Sequence, residues 1–225
     1  MPGFPLIQAV RFLASYTMSM TLRLPILLTL DSAMVLIVGA GGVGCRKALA
    51  LLEAGARVRH IGLEPAPDIA HPAWEYRQEA YRPDHLDSVQ LVFAAARGEV
   101  NRQIVRDAHQ RGLWVNVADA PGEGDFFLPA TIRQGALTLA ISTGGAAPAL
   151  ARRLRERLER EFDSAWADWL RLLEEMRPLI LARITEEAQR RAWFDQFSDW
   201  PWLERMRIDG YDVTRHAMMS ALTGV

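Results

Sequence analysis

Apolar and polar positions come in alternating blocks along the first half of the chain. Met34-Val35-Leu36-Ile37-Val38 is an all-apolar run that stops at Gly39, the pattern of a strand buried on both faces of a parallel sheet. Val43 to Ala54 carries helix formers, among them Leu49, Leu51 and Leu52, and ends at Gly55, a helix-stop signal. Arg57 to Leu63 holds a second strand around Val58 and Ile61, and Leu91 to Ala96 is a third good run. Val100 to Gln110 reads as a helix closed by Gly112, and Leu113 to Val117 as another strand. Strand and helix in alternation predict βαβ units and a parallel sheet with right-handed crossovers.

The pattern then changes. Phe126-Phe127-Leu128, Ala130 to Arg133 and Ala136 to Ile141 read as strands of an antiparallel meander. Pro148 opens a helix with Leu150, Leu154, Leu158 and Phe162 four residues apart on one face. From Asp163 onward the pattern is helical, broken at Pro178, at Pro201 and by the turn Asp209-Gly210. The expected fold class is α/β: a Rossmann-type parallel sheet over 22–124, a small β/α segment over 125–162, which the resemblance described below makes the dimerisation segment, and a helical domain over 163–225. Residues 1–21 are expected to be a loosely packed extension. They lack the compact apolar run and cleavage site of a secretory signal, and Met18 and Met20 suggest an upstream start codon.

Composition narrows the function classes. A formal net charge of −1 leaves no basic excess for nucleic acid, and no segment reaches the ~18 apolar residues that span a bilayer. One cysteine, Cys45, makes neither an internal disulfide nor a CxxC site, so a reducing, cytoplasmic setting is expected. The 26 basic residues include one lysine, Lys47. Arginine richness follows from GC-rich codon usage, and planar guanidinium forks also suit carboxylate ligands. Five scattered histidines, with no i,i+4 pair and no cysteine partners, give no readable zinc site. Five of the seven tryptophans lie after residue 162, where core or interface packing is their expected use.

Gly39-Ala40-Gly41-Gly42-Val43-Gly44 is G-x-G-x-x-G between a buried strand and a helix, the context that gives this otherwise weak pattern its meaning. Gly39 permits the tight turn, Gly41 lets backbone approach a pyrophosphate, and Gly44 lets helix and strand pack closely. The phosphates would meet the free N–H groups of the helix start. Glu64, twenty residues beyond Gly44, can accept from a ribose 2′-hydroxyl and would repel a 2′-phosphate, which favours NAD over NADP. Arg46 and Lys47 in the first helical turn are awkwardly placed unless an anion binds; otherwise they are exposed surface cations. Asp119 follows a strand and so falls at the carboxyl end of the sheet, where ligands of open α/β sheets bind, and Asp125 lies six residues on. Ser142-Thr143-Gly144-Gly145 leads into the Pro148 helix as an anion-receptive loop. Of the arginines that follow, most are expected to pair with Glu156, Glu159 and Glu161, which leaves Arg152 and Arg153, nearest the loop, as ligand candidates.

Several of these segments together resemble a known family. Leu24-Pro25-Ile26-Leu27-Leu28, Val35 to Gly44, Arg46-Lys47, Asn116-Val117-Ala118-Asp119, Phe127-Leu128-Pro129-Ala130 and Leu139 to Gly145 with Pro148 to Arg152 are similar to siroheme synthase over about residues 22–161. The likeness is to its precorrin-2 dehydrogenase part, which in some members also acts as sirohydrochlorin ferrochelatase. No methyltransferase domain follows, as expected of a stand-alone form. The resemblance implies oxidation of precorrin-2 to sirohydrochlorin with NAD⁺, an intertwined homodimer, and a catalytic role for Asp119. In bifunctional members the same aspartate is implicated in inserting ferrous or cobaltous ion. It also implies cofactor contacts near Ala95 and Asn101, and at Gly42 and Val43 of the loop. Where the family usually carries a threonine and acids, this chain has Ala95-Ala96-Arg97-Gly98, which removes a hydroxyl from the cofactor site. An aspartate is a feeble base near neutrality, so burial should raise the pKa of an Asp119 that removes the proton, whereas an Asp119 that serves a metal–tetrapyrrole encounter should stay ionised. The rival reading is a non-catalytic dinucleotide sensor with a helical partner-binding tail, which leaves Asp119 and the Ser142–Pro148 loop without a task.

Overall fold

The computed structural model describes residues 23–223; the extension expected over 1–21 lies outside them. Five strands form one parallel sheet: β1 (Met34–Val38), β2 (Arg57–Gly62), β3 (Trp74–Gln78), β4 (Leu91–Ala94) and β5 (Trp114–Val117). Their order is β3-β2-β1-β4-β5, so the chain reverses direction across the sheet between β1 and β4. Carboxyl ends of strands at such a switch point form the ligand crevice of doubly wound folds.

Two helices cover the sheet, α1 (Gly42–Glu53) and α2 (Glu99–Gln110). On the α1 face Val35, Ile37, Ala48, Leu51, Leu52, Val58 and Phe93 form one core, and on the α2 face Leu36, Val38, Ile61, Val92, Ile104, Ala108 and Val115 form another. This is why β1 and β4 read as unbroken apolar runs: every second residue is buried against a different helix.

Two expectations fail here. β3, Trp74-Glu75-Tyr76-Arg77-Gln78, was not foreseen, because its polar residues break any apolar run; it is held instead by main-chain pairing to β2 and by the stacking of Trp74 on Tyr76. Phe126-Phe127-Leu128 is not a strand. It runs beside β5 through side-chain bonds that replace a ladder: Asp125 accepts from the Val115 N–H at 2.8 Å, and the Asn116 amide donates to the Phe126 carbonyl at 2.8 Å.

The chain divides into two compact units between Leu128 and Pro129. In the second, β6 (Ala130–Gln134) and β7 (Leu137–Ile141) form an antiparallel hairpin around Gly135, at φ +58°. Helices α3 (Pro148–Glu161), α4 (Ser164–Arg183), α5 (Glu187–Phe197) and α6 (Trp200–Thr223) follow. The hairpin joins the helices: Gln134 donates to the Phe162 carbonyl, so segment 129–162 and the later helices share one unit. Trp169, Leu172, Met176, Ile180, Phe197, Leu203 and Met218 are its buried core. Pro178 does not break α4, contrary to expectation. A mid-helix proline costs about 3 kcal/mol, and the flanking burial of Met176 and Ile180 offsets it. Gly210, at φ +78°, does interrupt α6 where a turn was expected. The apolar stripe of α3 is helical as read but not covered: Leu150 is 50% exposed and Leu154 37%.

Candidate functional site

The glycine loop lies at the carboxyl end of β1, and each glycine answers a different steric demand. Gly39 sits at φ +113°, and a Cβ there would stand 2.3 Å from the Ala95 carbonyl oxygen at the end of β4. A Cβ on Gly44 would lie 1.8 Å from the Gly39 carbonyl oxygen, so helix and loop touch directly. Gly41, the residue before α1, has open space where its Cβ would be, and no side chain caps the helix there. Gly42 and Val43 are exposed beside it. The first turn of α1 contains no acidic residue, so its free N–H groups and positive dipole end are open to an anion. These features fit a dinucleotide pyrophosphate.

Beneath the loop lies a group that the sequence did not mark. His60, fully buried on β2, approaches the Gly39 carbonyl at 2.9 Å through Nε2, and Trp74 Nε1 reaches its Nδ1 at 3.5 Å. An indole N–H only donates, so Nδ1 accepts and Nε2 carries the proton that it donates to Gly39. Burial lowers the pKa of His60, with the Gly39 bond and Glu64 opposing more weakly. The Tyr76 hydroxyl donates to the main-chain carbonyl of Glu64, which sits exposed two residues past β2, beside the loop. The pattern that would have found these residues is the alternation of aromatic and polar positions in β3.

Lys47 is not an exposed surface cation. It is half-buried, donates to Asn116 Oδ1 at 2.8 Å and lies over the Phe93 ring; burial first, then Arg46, lowers its pKa. Asp125 is structural, bonded to the Val115 N–H and to His109.

Asp119 is exposed two residues past β5. Its Oδ1 accepts from Asn101 Nδ2 at 2.6 Å, and Nδ2 also donates to the Ala96 carbonyl at 3.1 Å. Thus Gly39, Gly41, Gly44, Ala95, Asn101 and Asp119 gather at the carboxyl ends of β1, β4 and β5, with Glu64 past β2. Ser142, Thr143, Gly144, Gly145, Arg152 and Arg153 belong to the second unit. There the Ser142 and Thr143 hydroxyls accept from the Gly144 and Ala147 N–H groups, closing the loop on itself, with Gly144 and Gly145 both at positive φ. Arg152, Arg155 and Arg157 make i,i+4 pairs with Glu156, Glu159 and Glu161, whereas Arg153 is exposed with no ion pair among the described residues. Among the described residues no three metal-ligating side chains converge, and no helix is long and apolar enough to cross a membrane.

Fold and loop define a Rossmann-type NAD(P)-binding protein, and residues 26–130 match the NAD(P)-binding family model. Residues 134–161 match the model of the sirohaem biosynthesis protein central region. In sequence the chain is similar to the siroheme synthases. It is 34% identical over 206 residues to that of Methylobacillus flagellatus, covering 89% of this chain and 44% of the relative. It is 43% identical over 139 residues to siroheme synthase 2 of Aeromonas salmonicida, covering 60% and 29%. The chain therefore spans less than half the length of these curated relatives. The solved structure of SirC, a precorrin-2 dehydrogenase, aligns over 90% of this chain and 100% of its own with a TM-score of 0.73 at 23% identity, a likeness of fold.

Proposed function

We propose that this chain oxidises precorrin-2 to sirohydrochlorin on the route to sirohaem, with NAD⁺ as the hydride acceptor. The observation that carries the reading is a carboxylate, Asp119, held by Asn101 at the strand ends beside a glycine loop built for a dinucleotide. Oxidation removes one hydride and one proton from the substrate. The nicotinamide, when bound, supplies the hydride acceptor. Gly41 and the start of α1 hold its pyrophosphate, and Glu64 takes the ribose 2′-hydroxyl, which selects NAD over NADP. Asp119 takes the proton. Its exposure lets substrate reach it, and a flat tetrapyrrole seated over it would exclude the water that weakens it as a base. The substrate's many carboxylates suit the Ser142–Gly145 loop with Arg152 and Arg153. The working form is a homodimer whose subunits cover the exposed stripe of α3, in a cytoplasmic setting.

The test is an anaerobic assay with enzymatically made precorrin-2 and NAD⁺, following NADH and the tetrapyrrole spectrum together. NADH appearing in step with sirohydrochlorin is expected, and Asp119→Ala should abolish it while NADH binding persists. Wild-type turnover in that variant would sink the role of Asp119. Silence from wild-type protein that binds NADH would leave the dinucleotide sensor. Adding ferrous or cobaltous ion to the completed reaction then reads metal insertion at the same pocket.

A further inference from the structure

Asn101 belongs to the first turn of α2 and is 2% exposed. The resemblance gives it to the cofactor, but its bonds point elsewhere. Both hydrogens of Nδ2 are spent, one on the Ala96 carbonyl and one on Asp119 Oδ1. Its Oδ1 is buried and has no hydrogen-bond partner among the described residues. Turning the amide over would set that oxygen against two acceptors, so the contacts decide the orientation. A buried carbonyl left unpaired is unusual in a native fold and calls for a reason. Here the reason is the short, charge-assisted bond that the other end of the amide makes to the carboxylate.

We propose that Asn101 is a positioning residue for Asp119 and not a contact to the dinucleotide, an inference that rests on the role given to Asp119 above. Asn101 ties three segments together: the start of α2, the loop after β4 through Ala96, and the loop after β5 through Asp119. Asp119 is otherwise an exposed side chain free to change rotamer. The amide bond engages Oδ1, whereas Oδ2 makes no hydrogen bond among the described residues, and Oδ2 is the atom left to take a proton. An amide neither ionises nor competes for that proton, which suits it to hold a base without replacing it.

The experiment is steady-state kinetics with precorrin-2 and NAD⁺ on Asn101→Ala and Asn101→Asp, with NADH titration as the control for folding. Asn101→Ala is expected to lower kcat about 30- to 100-fold, the scale on which misplacing a reacting group is felt. KM for NAD⁺ and for precorrin-2 should stay within about twofold. Asn101→Asp keeps the shape but sets a second carboxylate against Asp119, and two such groups share one proton. The acid limb of its pH–rate profile should therefore move to higher pH by about one unit or more.

A rise in KM for NAD⁺ with kcat kept would make Asn101 a cofactor contact and overturn the proposal. Kinetics unchanged in both variants would do the same. If the alanine variant no longer binds NADH, the isosteric aspartate variant decides: an acid limb at the wild-type position overturns. Loss of NADH binding in both would mark Asn101 as scaffold. A wild-type protein inactive on precorrin-2 is the separate failure of the functional reading, and it removes this inference with it.

Discussion

The glycine-loop corner of the first unit and helix α3 of the second are built on opposite plans. In the corner, loop, strand and helix close on themselves: Gly44 touches Gly39, Gly39 touches Ala95, and buried His60 and half-buried Lys47 each meet a partner within the same chain. On α3 the polar face is satisfied by i,i+4 ion pairs, while the apolar stripe at Leu150 and Leu154 stands in solvent. A corner that is sterically complete is ready to bind a ligand as a single chain. A helix with its apolar stripe uncovered is a surface open to contact. The difference separates a corner that closes on itself from a surface left open, the one the proposed dimer would use.

The largest effect should come from breaking the corner. Gly44→Ala drives a methyl into the Gly39 carbonyl, a backbone clash that neither side relieves cheaply. It should cost about 3 kcal/mol or more and abolish NADH binding together with a large fall in Tm. Gly41→Ala is the sharper probe, because its Cβ meets nothing within 4 Å. The fold should keep its Tm while NADH affinity drops about tenfold, the cost of one lost close backbone contact to a charged ligand. A Gly41→Ala variant that binds NADH normally would remove the pyrophosphate from this loop.

On the other plan, Leu150→Glu with Leu154→Glu should leave Tm nearly unchanged in a monomer, because neither side chain is buried there. Light scattering on the purified protein should show a dimer for the wild type and a monomer for the double variant. A wild type that is already monomeric would show that the stripe is not a subunit contact.

The same contrast explains what was legible in the sequence. β1, β4 and α1 were readable because burial on both faces leaves apolar runs, and glycines at the helix start and stop punctuate them. Asp119 was placed correctly at a strand end because parallel topology follows from the alternation of elements. β3 was hidden: Trp74-Glu75-Tyr76 has one face on solvent and no run. His60 is not legible because a lone histidine in a strand carries no motif; its meaning depends on Gly39, distant in sequence. Phe126 to Leu128 looked like a strand but lost the ladder to the Asp125 and Asn116 side chains, and Pro178 looked like a stop but was overridden by packing. Asn101 was marked through resemblance, and its bond to Asp119 needed the fold.

Glu64 gives a smaller, selective effect. Glu64→Gln keeps the Tyr76 bond, which is made to the main-chain carbonyl, and removes only the charge. NAD⁺ should weaken about tenfold while NADP⁺ improves, since the repulsion of a 2′-phosphate is gone. The ratio of the two KM values is the measurement, and an unchanged ratio would make Glu64 a solvated turn residue.

The smallest effect is a pH dependence seated under the loop. Burial holds the folded-state pKa of His60 below the ordinary value near 6.5, so the unfolded chain takes up a proton first as pH falls. The stability owed to neutral His60 is therefore complete above about pH 6.5 and declines as pH drops toward the folded value, with a slope of at most about 1.4 kcal/mol per unit. The groups facing it are the Gly39 carbonyl, Trp74, Tyr76 and the Glu64 carboxylate; of these, Gly39 and Glu64 oppose the shift, and neither outweighs burial. Protonation would also cost the bond from Trp74, since Nδ1 could no longer accept, while the Nε2–H bond to Gly39 would be kept. His60→Gln retains an N–H for Gly39 and does not titrate. Urea unfolding from pH 7.5 to 5 should show wild-type stability falling below about pH 6.5 more steeply than that of the glutamine variant. Parallel curves would mean that folding does not shift the titration of His60, and wild-type stability rising as pH falls would mean that the fold favours the charged ring.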